Sequence, residues 1–222
     1  MHHDRARLVE LVGPAGVGKS TLSRVLRRRY AAEQSTIWGL PVLPLLGNGA
    51  RLVPSLFPLW LHSRSLLWDE SRHMVRLRTL QRELSRDRTN GSSALIFDEG
   101  PVFALAWLRG FGHQSVRSAA ADAWWQVTLR HWAVAVDTIV VLDASDALVA
   151  SRIRSRPEWH EIKHASDQEI STWIGRFRTA LSWVLAGLAV HGGPAIHRIR
   201  TDQASPEHIA DQVMTVLDQD PR

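Results

Sequence analysis

This 222-residue chain predicts a three-layer α/β/α fold built on a five-stranded parallel sheet. Three observations predict it. Five short apolar runs alternate with stretches of helical periodicity along the whole length, the pattern of strands joined by crossover helices. The right-handed crossover rule then leaves few ways to wind the sheet. The first run, 7–12, passes directly into a glycine-punctuated loop and the opening of a helix, and the runs at 94–97 and 138–142 each end in a carboxylate. One domain spanning residues 1–222 accommodates all of it, without internal repeats or low-complexity segments.

The loop after the first run reads Gly13-Pro14-Ala15-Gly16-Val17-Gly18-Lys19-Ser20-Thr21, a match to G-x-x-x-x-G-K-[ST]. Glycines let the backbone turn tightly and lay bare N–H groups against phosphate oxygens. A following helix, expected over 18–32 with Leu22, Val25, Leu26 and Tyr30 as its apolar positions, adds unpaired amides and the positive end of its dipole. Lys19 supplies a point charge for the β- and γ-phosphates, and the Ser20 hydroxyl a ligand for Mg²⁺. Only Lys19 and Lys163 are lysines among 27 basic residues, so an accidental match is expected in roughly one such chain in a thousand. Gly13, Ala15, Gly16, Val17, Gly18, Lys19, Ser20 and Thr21 are therefore expected to bind a nucleoside triphosphate.

Residues 35–38 fit a short second strand. Between 40 and 60, prolines at 41, 44, 54 and 58 interrupt an apolar string, which argues against a continuous helix and for a packed connection over the acceptor side of the site. Helical periodicity returns over 61–86 (Leu66, Leu67, Met74, Leu77, Leu80, Leu84), and Asn90-Gly91 signals a turn. The run 94–97 leads into Asp98-Glu99-Gly100-Pro101. A carboxylate at the C-terminal end of a buried strand lies where open α/β sheets bind ligands. Asp98 suits a Mg²⁺ ligand or a proton acceptor, and Glu99 a proton acceptor; a strand-end acid capping the next helix is the structural alternative.

A short helix over 102–108, a flexible turn over 109–113 and a helix over 115–132 carrying Trp124, Trp125 and Trp132 come next, the tryptophans reading as core. The fourth strand, 138–142, ends at Asp143. In the helical stretch 147–156, Arg152 and Arg156 share a face, and Pro157 breaks it into the loop 158–165. Such arginines either form a lid that closes over the triphosphate or complement a helix C-terminus. Ser166-x-x-Glu169 is a capping box opening a long amphipathic helix, 196–200 is the last strand, and Ser205-Pro206-Glu207 starts the final helix.

Composition narrows the function classes. Net charge is +5, but the arginines are scattered with no basic run or aromatic-basic module, so nucleic acid is not the expected partner. The absence of cysteine excludes disulfides, thiolate metal sites and cysteine nucleophiles. No membrane span or secretory signal is read in the chain, so a cytoplasmic location is expected, with room for a homodimer.

On Gly13–Thr21, on Val140-Val141-Leu142-Asp143 followed by Arg152-x-Arg154-x-Arg156, and on the last strand with its Ser205-Pro206-Glu207 helix, the chain resembles the P-loop nucleoside and nucleotide kinases, the thymidylate-kinase-like group in particular. That resemblance implies a P-loop kinase type of α/β/α fold with a short arginine-rich lid over about 152–165 and an acceptor-side insert over about 40–88. It implies ATP and Mg²⁺ as cofactors, Arg152 against adenine, Arg154 or Arg156 reaching the transferring phosphate, and the 201–205 turn lining the adenine. The family carries Asp-Arg or Glu-Arg after its third strand; here Asp98 is followed by Glu99, which argues against a phosphorylated acceptor and suits hydroxyls or an amine. The expected activity is transfer of the γ-phosphate of ATP to a small-molecule acceptor, either a nucleoside or nucleotide or a hydroxyl-bearing metabolite. Lys19, Arg152 and Arg156 would steady the phosphates, Ser20 and Asp98 hold the metal, and Asp98 or Glu99 take the proton. A P-loop ATPase or switch is the alternative, with Asp98 as metal ligand and Glu99 activating water.

Overall fold

The structure, a computed structural model, describes residues 7–30, 33–63, 67–87, 94–157 and 159–219. Its strands are β1 (Arg7–Val12), β2 (Glu33–Ser35), β3 (Ala94–Asp98), β4 (Thr138–Asp143) and β5 (Ala195–Arg200), paired in parallel in the order β2-β3-β1-β4-β5. The helices are α1 (Lys19–Tyr30), α2 (Val42–Ser63), α3 (Trp68–Asp87), α4 (Pro101–Phe111), α5 (Asp122–Ala135), α6 (Asp146–Ser155), α7 (Asp167–Val190) and α8 (Pro206–Gln219). No helix among the described residues is long and apolar enough to cross a membrane.

Strand alternation sorts the side chains into two cores. Leu8, Val12, Phe97, Ile139 and Val141 pack under α3, α4, α5 and α7. Val9, Leu11, Ile96, Val140 and Leu142 face the other way, against α1, α6, α8 and the start of α7. The expected three layers are thus present. Because β1 lies between β3 and β4, the loop after β1 opens at the point where successive connections leave for opposite sides of the sheet, the ligand crevice of such folds. Arg178 of α7 closes this end by donating to the Asp143 and Asp146 carboxylates and to the Ala144 carbonyl, tying α7 to the β4–α6 turn. The capping box of α7 forms as read, Ser166 and Glu169 each bonding the other's backbone amide.

The largest correction concerns 40–60. This segment is the helix α2, in spite of its prolines. Pro41 precedes the helix and Pro44 falls in the first turn, where amides have no intrahelical partner. Pro54 and Pro58 are four apart, so their missing amides lie along one strip, and the carbonyls they leave belong to Ala50 and Pro54, both exposed to water. On the opposite side α2 is pinned to α3: Asn48 Nδ2 donates to Thr79 Oγ1 at 3.1 Å, Trp60 Nε1 donates to Ser71 Oγ at 3.1 Å, and Arg82 donates to Asn48. Tertiary contact has overridden local propensity.

Smaller differences have similar causes. The second strand ends at Ser35 because the Thr36 hydroxyl accepts from Trp38 N and starts a single 3₁₀ turn, Ile37–Gly39. The expected helix over 115–132 is broken: Ser118 is extended and its hydroxyl bonds the Ser115 carbonyl, so two 3₁₀ turns precede α5. Helix α4 runs three residues past 108, so most of the turn expected over 109–113 is helical and ends at Gly112. The helix expected from 61 starts at Trp68, since α2 continues to Ser63. The expected end of the first helix at 31–32, Leu66, the Asn90-Gly91 turn and Glu158 lie outside the described residues.

Replacing Pro54, exposed in the interior of α2, tests whether packing holds this helix against its own sequence. Pro54→Ala is expected to raise the urea midpoint, with a gain of up to about 3 kcal/mol. An unchanged or lower midpoint would contradict a helical 54.

Candidate active site

The glycine loop is wedged against the sheet. A Cβ on Gly13 would stand 2.3 Å from the Leu142 carbonyl oxygen at the end of β4, so no larger residue fits there. Gly18 turns the chain into α1 at φ +102°, a conformation side chains resist. Lys19 is buried at 5% exposure, and its ammonium donates to Gly13 O at 2.9 Å and Pro14 O at 3.1 Å. Burial lowers its pKa, opposed by the nearby Glu99 and Asp98 carboxylates. Ser20 and Thr21 stay exposed at the start of α1 and line the cleft.

Asp98 ends β3 level with Leu11 of β1, so it stands beside the loop. It is 9% exposed, and its Oδ1 is buried with no hydrogen-bond partner. Asp98 acts on the Lys19 ammonium but does not itself line the cleft; an orphaned carboxylate oxygen beside the glycine loop fits Mg²⁺, either directly or through water. Among the described residues no cluster of three or more His, Cys, Asp or Glu side chains forms a metal cage.

Glu99 adopts φ 63°, a strained backbone for a non-glycine residue. Two contacts from the segment after β2 accompany it: Ile37 N donates to Glu99 O at 3.2 Å, and Trp38 Nε1 donates to Glu99 Oε2 at 2.8 Å. The Trp38 ring is covered by Arg76 at 4.7 Å and meets His73 edge-on, and His73 stacks on Trp107 at 4.2 Å. Helix α3 therefore supports the cleft wall from behind, while none of the described lining residues comes from 40–60.

The three arginines separate. Arg152 donates to Val17 O and to Thr201 Oγ1 and O, while Thr201 Oγ1 donates to Val17 O at 2.7 Å. These bonds join the glycine loop to the 201–205 turn. Arg156 lines the same cleft. Arg154 does not; it pairs with Asp167 and donates to Ala165 O at 3.1 Å, holding the segment after α6 against the start of α7.

The cleft measures about 730 Å³. Arg152, Thr201, Ala204, Pro206 and Ile209 line it beside the glycine loop, and Glu99, Phe103, Trp107, Trp159, His160, Glu161 and Trp173 line the remainder. The aromatic wall was not read from the sequence as a site. Phe103 and Trp107 lie one turn apart on α4, a spacing that also marks ordinary core, and Trp173 fits the apolar stripe of α7 equally well. Burial lowers the pKa of His160, and its ring meets Trp173 edge-on at 5.4 Å.

Glu10 was also missed, although a carboxylate inside the apolar run 7–12 was a visible signal. It points from β1 to the start of α4 and accepts from Val102 N at 2.8 Å and Phe103 N at 2.7 Å. It thereby caps the helix that carries the aromatic wall.

No family model matches the chain, and no curated protein matches it at the sequence level. Solved structures do match. A deoxyadenosine kinase from M. mycoides with bound dATP aligns with a TM-score of 0.58 at 15% identity, over 96% of this chain and 100% of that one. Thymidylate kinase from Candida albicans aligns at 0.59 and 16% identity, over 96% and 92%. Shikimate kinase from Bacteroides thetaiotaomicron aligns at 0.53 and 12% identity, over 96% and 98%. The fold is that of the P-loop nucleoside and nucleotide kinases.

Burial pushes the Glu10 carboxyl up to about 8 from 4.5, against the downward pull of the Val102, Phe103 and Gly100 amides. Folded Glu10 therefore keeps a proton that the unfolded chain has released. Its contribution to stability is complete below pH 4.5 and is lost as pH rises through about 8. Glu10→Gln, which cannot ionise, is expected to flatten the fall in unfolding free energy between about pH 5 and 8, measured by urea denaturation. An unchanged slope would mean that Glu10 stays ionised on the amides.

Proposed function

We propose that this chain is a Mg·ATP-dependent phosphotransferase that moves the γ-phosphoryl group to a hydroxyl-bearing small molecule. The observation that carries the proposal is the Lys19 ammonium, buried at the mouth of the glycine loop and held on two carbonyl oxygens rather than on a carboxylate. A desolvated cation among bare amides at a helix N-terminus is a polyanion site. The kinase fold supports the reading, and so does the joining of Arg152 and Thr201 to the loop, which leaves Ala204, Pro206 and Ile209 as an apolar slot for the nucleotide base.

The roles follow from the two carboxylates. Asp98, buried with an orphaned oxygen, is assigned with Ser20 to Mg²⁺; when bound, the ion neutralises charge on the β- and γ-phosphate oxygens. Glu99, which lines the cleft, is assigned as proton acceptor. The acceptor oxygen attacks the γ-phosphorus, the bond from that phosphorus to the β–γ bridging oxygen breaks, ADP leaves, and the hydroxyl proton passes to Glu99. Lys19 and the loop amides stabilise the transferring group, and Arg152 and Arg156 complete the cradle, the 152–165 segment acting as a lid. The aromatic wall favours transfer to an acceptor over transfer to water, since a hydrolase has no use for such a surface.

Calorimetry with Mg·AMP-PNP tests the cradle, and Lys19→Ala is expected to lose binding and at least about 10²-fold in turnover with its circular dichroism unchanged. Near-normal activity in that variant would remove the assignment. Glu99→Gln is expected to cost about 10²–10⁴-fold in kcat while the affinity for Mg·ATP holds, and Asp98→Asn to raise the Mg²⁺ concentration needed for half-maximal rate. Acceptor-independent ATP hydrolysis at an enzyme-like rate would favour the ATPase alternative.

A further inference from the structure

Two carboxylates in the cleft are anchored the same way. Glu99 accepts from the Trp38 indole N–H on Oε2 at 2.8 Å, and Glu161 accepts from the Trp173 indole N–H on Oε1 at 2.9 Å. An indole N–H orients a carboxylate without cancelling its charge, and it leaves the second oxygen for another partner. Phe103, Trp107 and Trp173 line the same cleft, Phe103 with the Lys19 ammonium 5.5 Å from its ring centre, and Trp159, 83% exposed, lines it from the segment after α6.

The cations are spent elsewhere. Among the described lining residues they are Lys19, Arg152 and Arg156, the three assigned to the triphosphate. Set against an ATP tetra-anion, Mg²⁺ and these three cations, the carboxylates Asp98, Glu99 and Glu161 leave the described residues of the loaded cleft with a surplus of negative charge. Arg76 covers the Trp38 ring and is not a lining residue. The lowered pKa of His160 keeps its imidazole neutral near physiological pH.

We infer that the acceptor is an organic cation, a hydroxyl compound with a flat or apolar body and a protonated amine, the ammonium held by Glu161 in the cleft that the exposed Trp159 ring also lines. Aromatic faces attract cations through their quadrupole, and a carboxylate beside them adds a charge-assisted hydrogen bond. A phosphorylated or carboxylated acceptor would meet two carboxylates and no further cation among the described lining residues, so the cleft selects against it by like-charge repulsion. This inference rests on the phosphotransferase reading, which assigns the three cations to ATP. It divides the two carboxylates: Glu99 takes the hydroxyl proton as the oxygen–phosphorus bond forms, while Glu161 stays ionised on the ammonium.

The test uses three probes of one shape and different charge: tyramine, 4-hydroxyphenylethanol and 4-hydroxyphenylacetate. Each is titrated by calorimetry into the full chain saturated with Mg·AMP-PNP. Tyramine is expected to bind at least about tenfold more tightly than the acid, with the alcohol between them. Glu161→Gln, whose amide oxygen still accepts from Trp173, is expected to erase the preference for tyramine while leaving Mg·AMP-PNP affinity unchanged. Absent tyramine binding, equal binding of all three probes, tighter binding of the acid, or an undiminished preference in the variant would overturn the inference and leave the kinase reading standing. Failure of Mg·AMP-PNP itself to bind would bring down both.

Discussion

The end of β1 is where the molecule concentrates charge it has little water to solvate. Lys19, Asp98 and Glu10 are all buried there, on or beside the central strand of the sheet. Isolated charges in such a place are costly, and each is offset differently. Lys19 leans on two loop carbonyls, Glu10 takes the first amides of α4 with its proton retained by burial, and Asp98 leaves one oxygen unmatched. The surrounding elements arrange themselves around this set. The glycine loop lies against Leu142, α4 is held by Glu10, and the 201–205 turn is fastened through Thr201 and Arg152.

A second tier of contacts converts that edge into a cleft. Trp38 arrives from the short turn after β2 and takes hold of Glu99, while Arg76 and His73 of α3 pack on its ring. His73 also stacks on Trp107, so the orientation of the carboxylate and the placement of one aromatic wall depend on the same helix. Helix α2 supplies none of the described lining residues, yet it bears on the cleft by buttressing α3 through Asn48 and Trp60. On the far side Arg154 anchors the 159–165 segment to α7 and leaves Arg156 to the cleft. Neighbouring arginines at one helix end thus divide between holding the loop and lining the cleft, as their differing directions require.

Much of this was legible in advance because it is local. The glycine loop, the strand-end carboxylate Asp98, the capping box at Ser166 and the five strands are written in spacing and residue type, and burial on both faces makes parallel strands plain apolar runs. The prolines of 40–60 misled for the opposite reason. Propensity at Pro54 and Pro58 is a local penalty of about 3 kcal/mol each, whereas the hydrogen bonds and packing that outweigh it come from α3, through pairs 31 and 11 residues apart in the chain. The break before α5 also turned on a side chain bonding backwards, which no periodicity records.

By itself the sequence determined the parallel sheet and the glycine loop, since these follow from runs of apolar residues and from glycine at positions where only glycine fits. Only the tertiary structure decided which acids are buried and which line the cleft, which arginine is tied to α7, and which tryptophans line a cleft instead of filling a core. Those are properties of distance between segments far apart in the chain, as when the 38th residue reaches the 99th and the 161st the 173rd, across separations that a linear pattern does not encode.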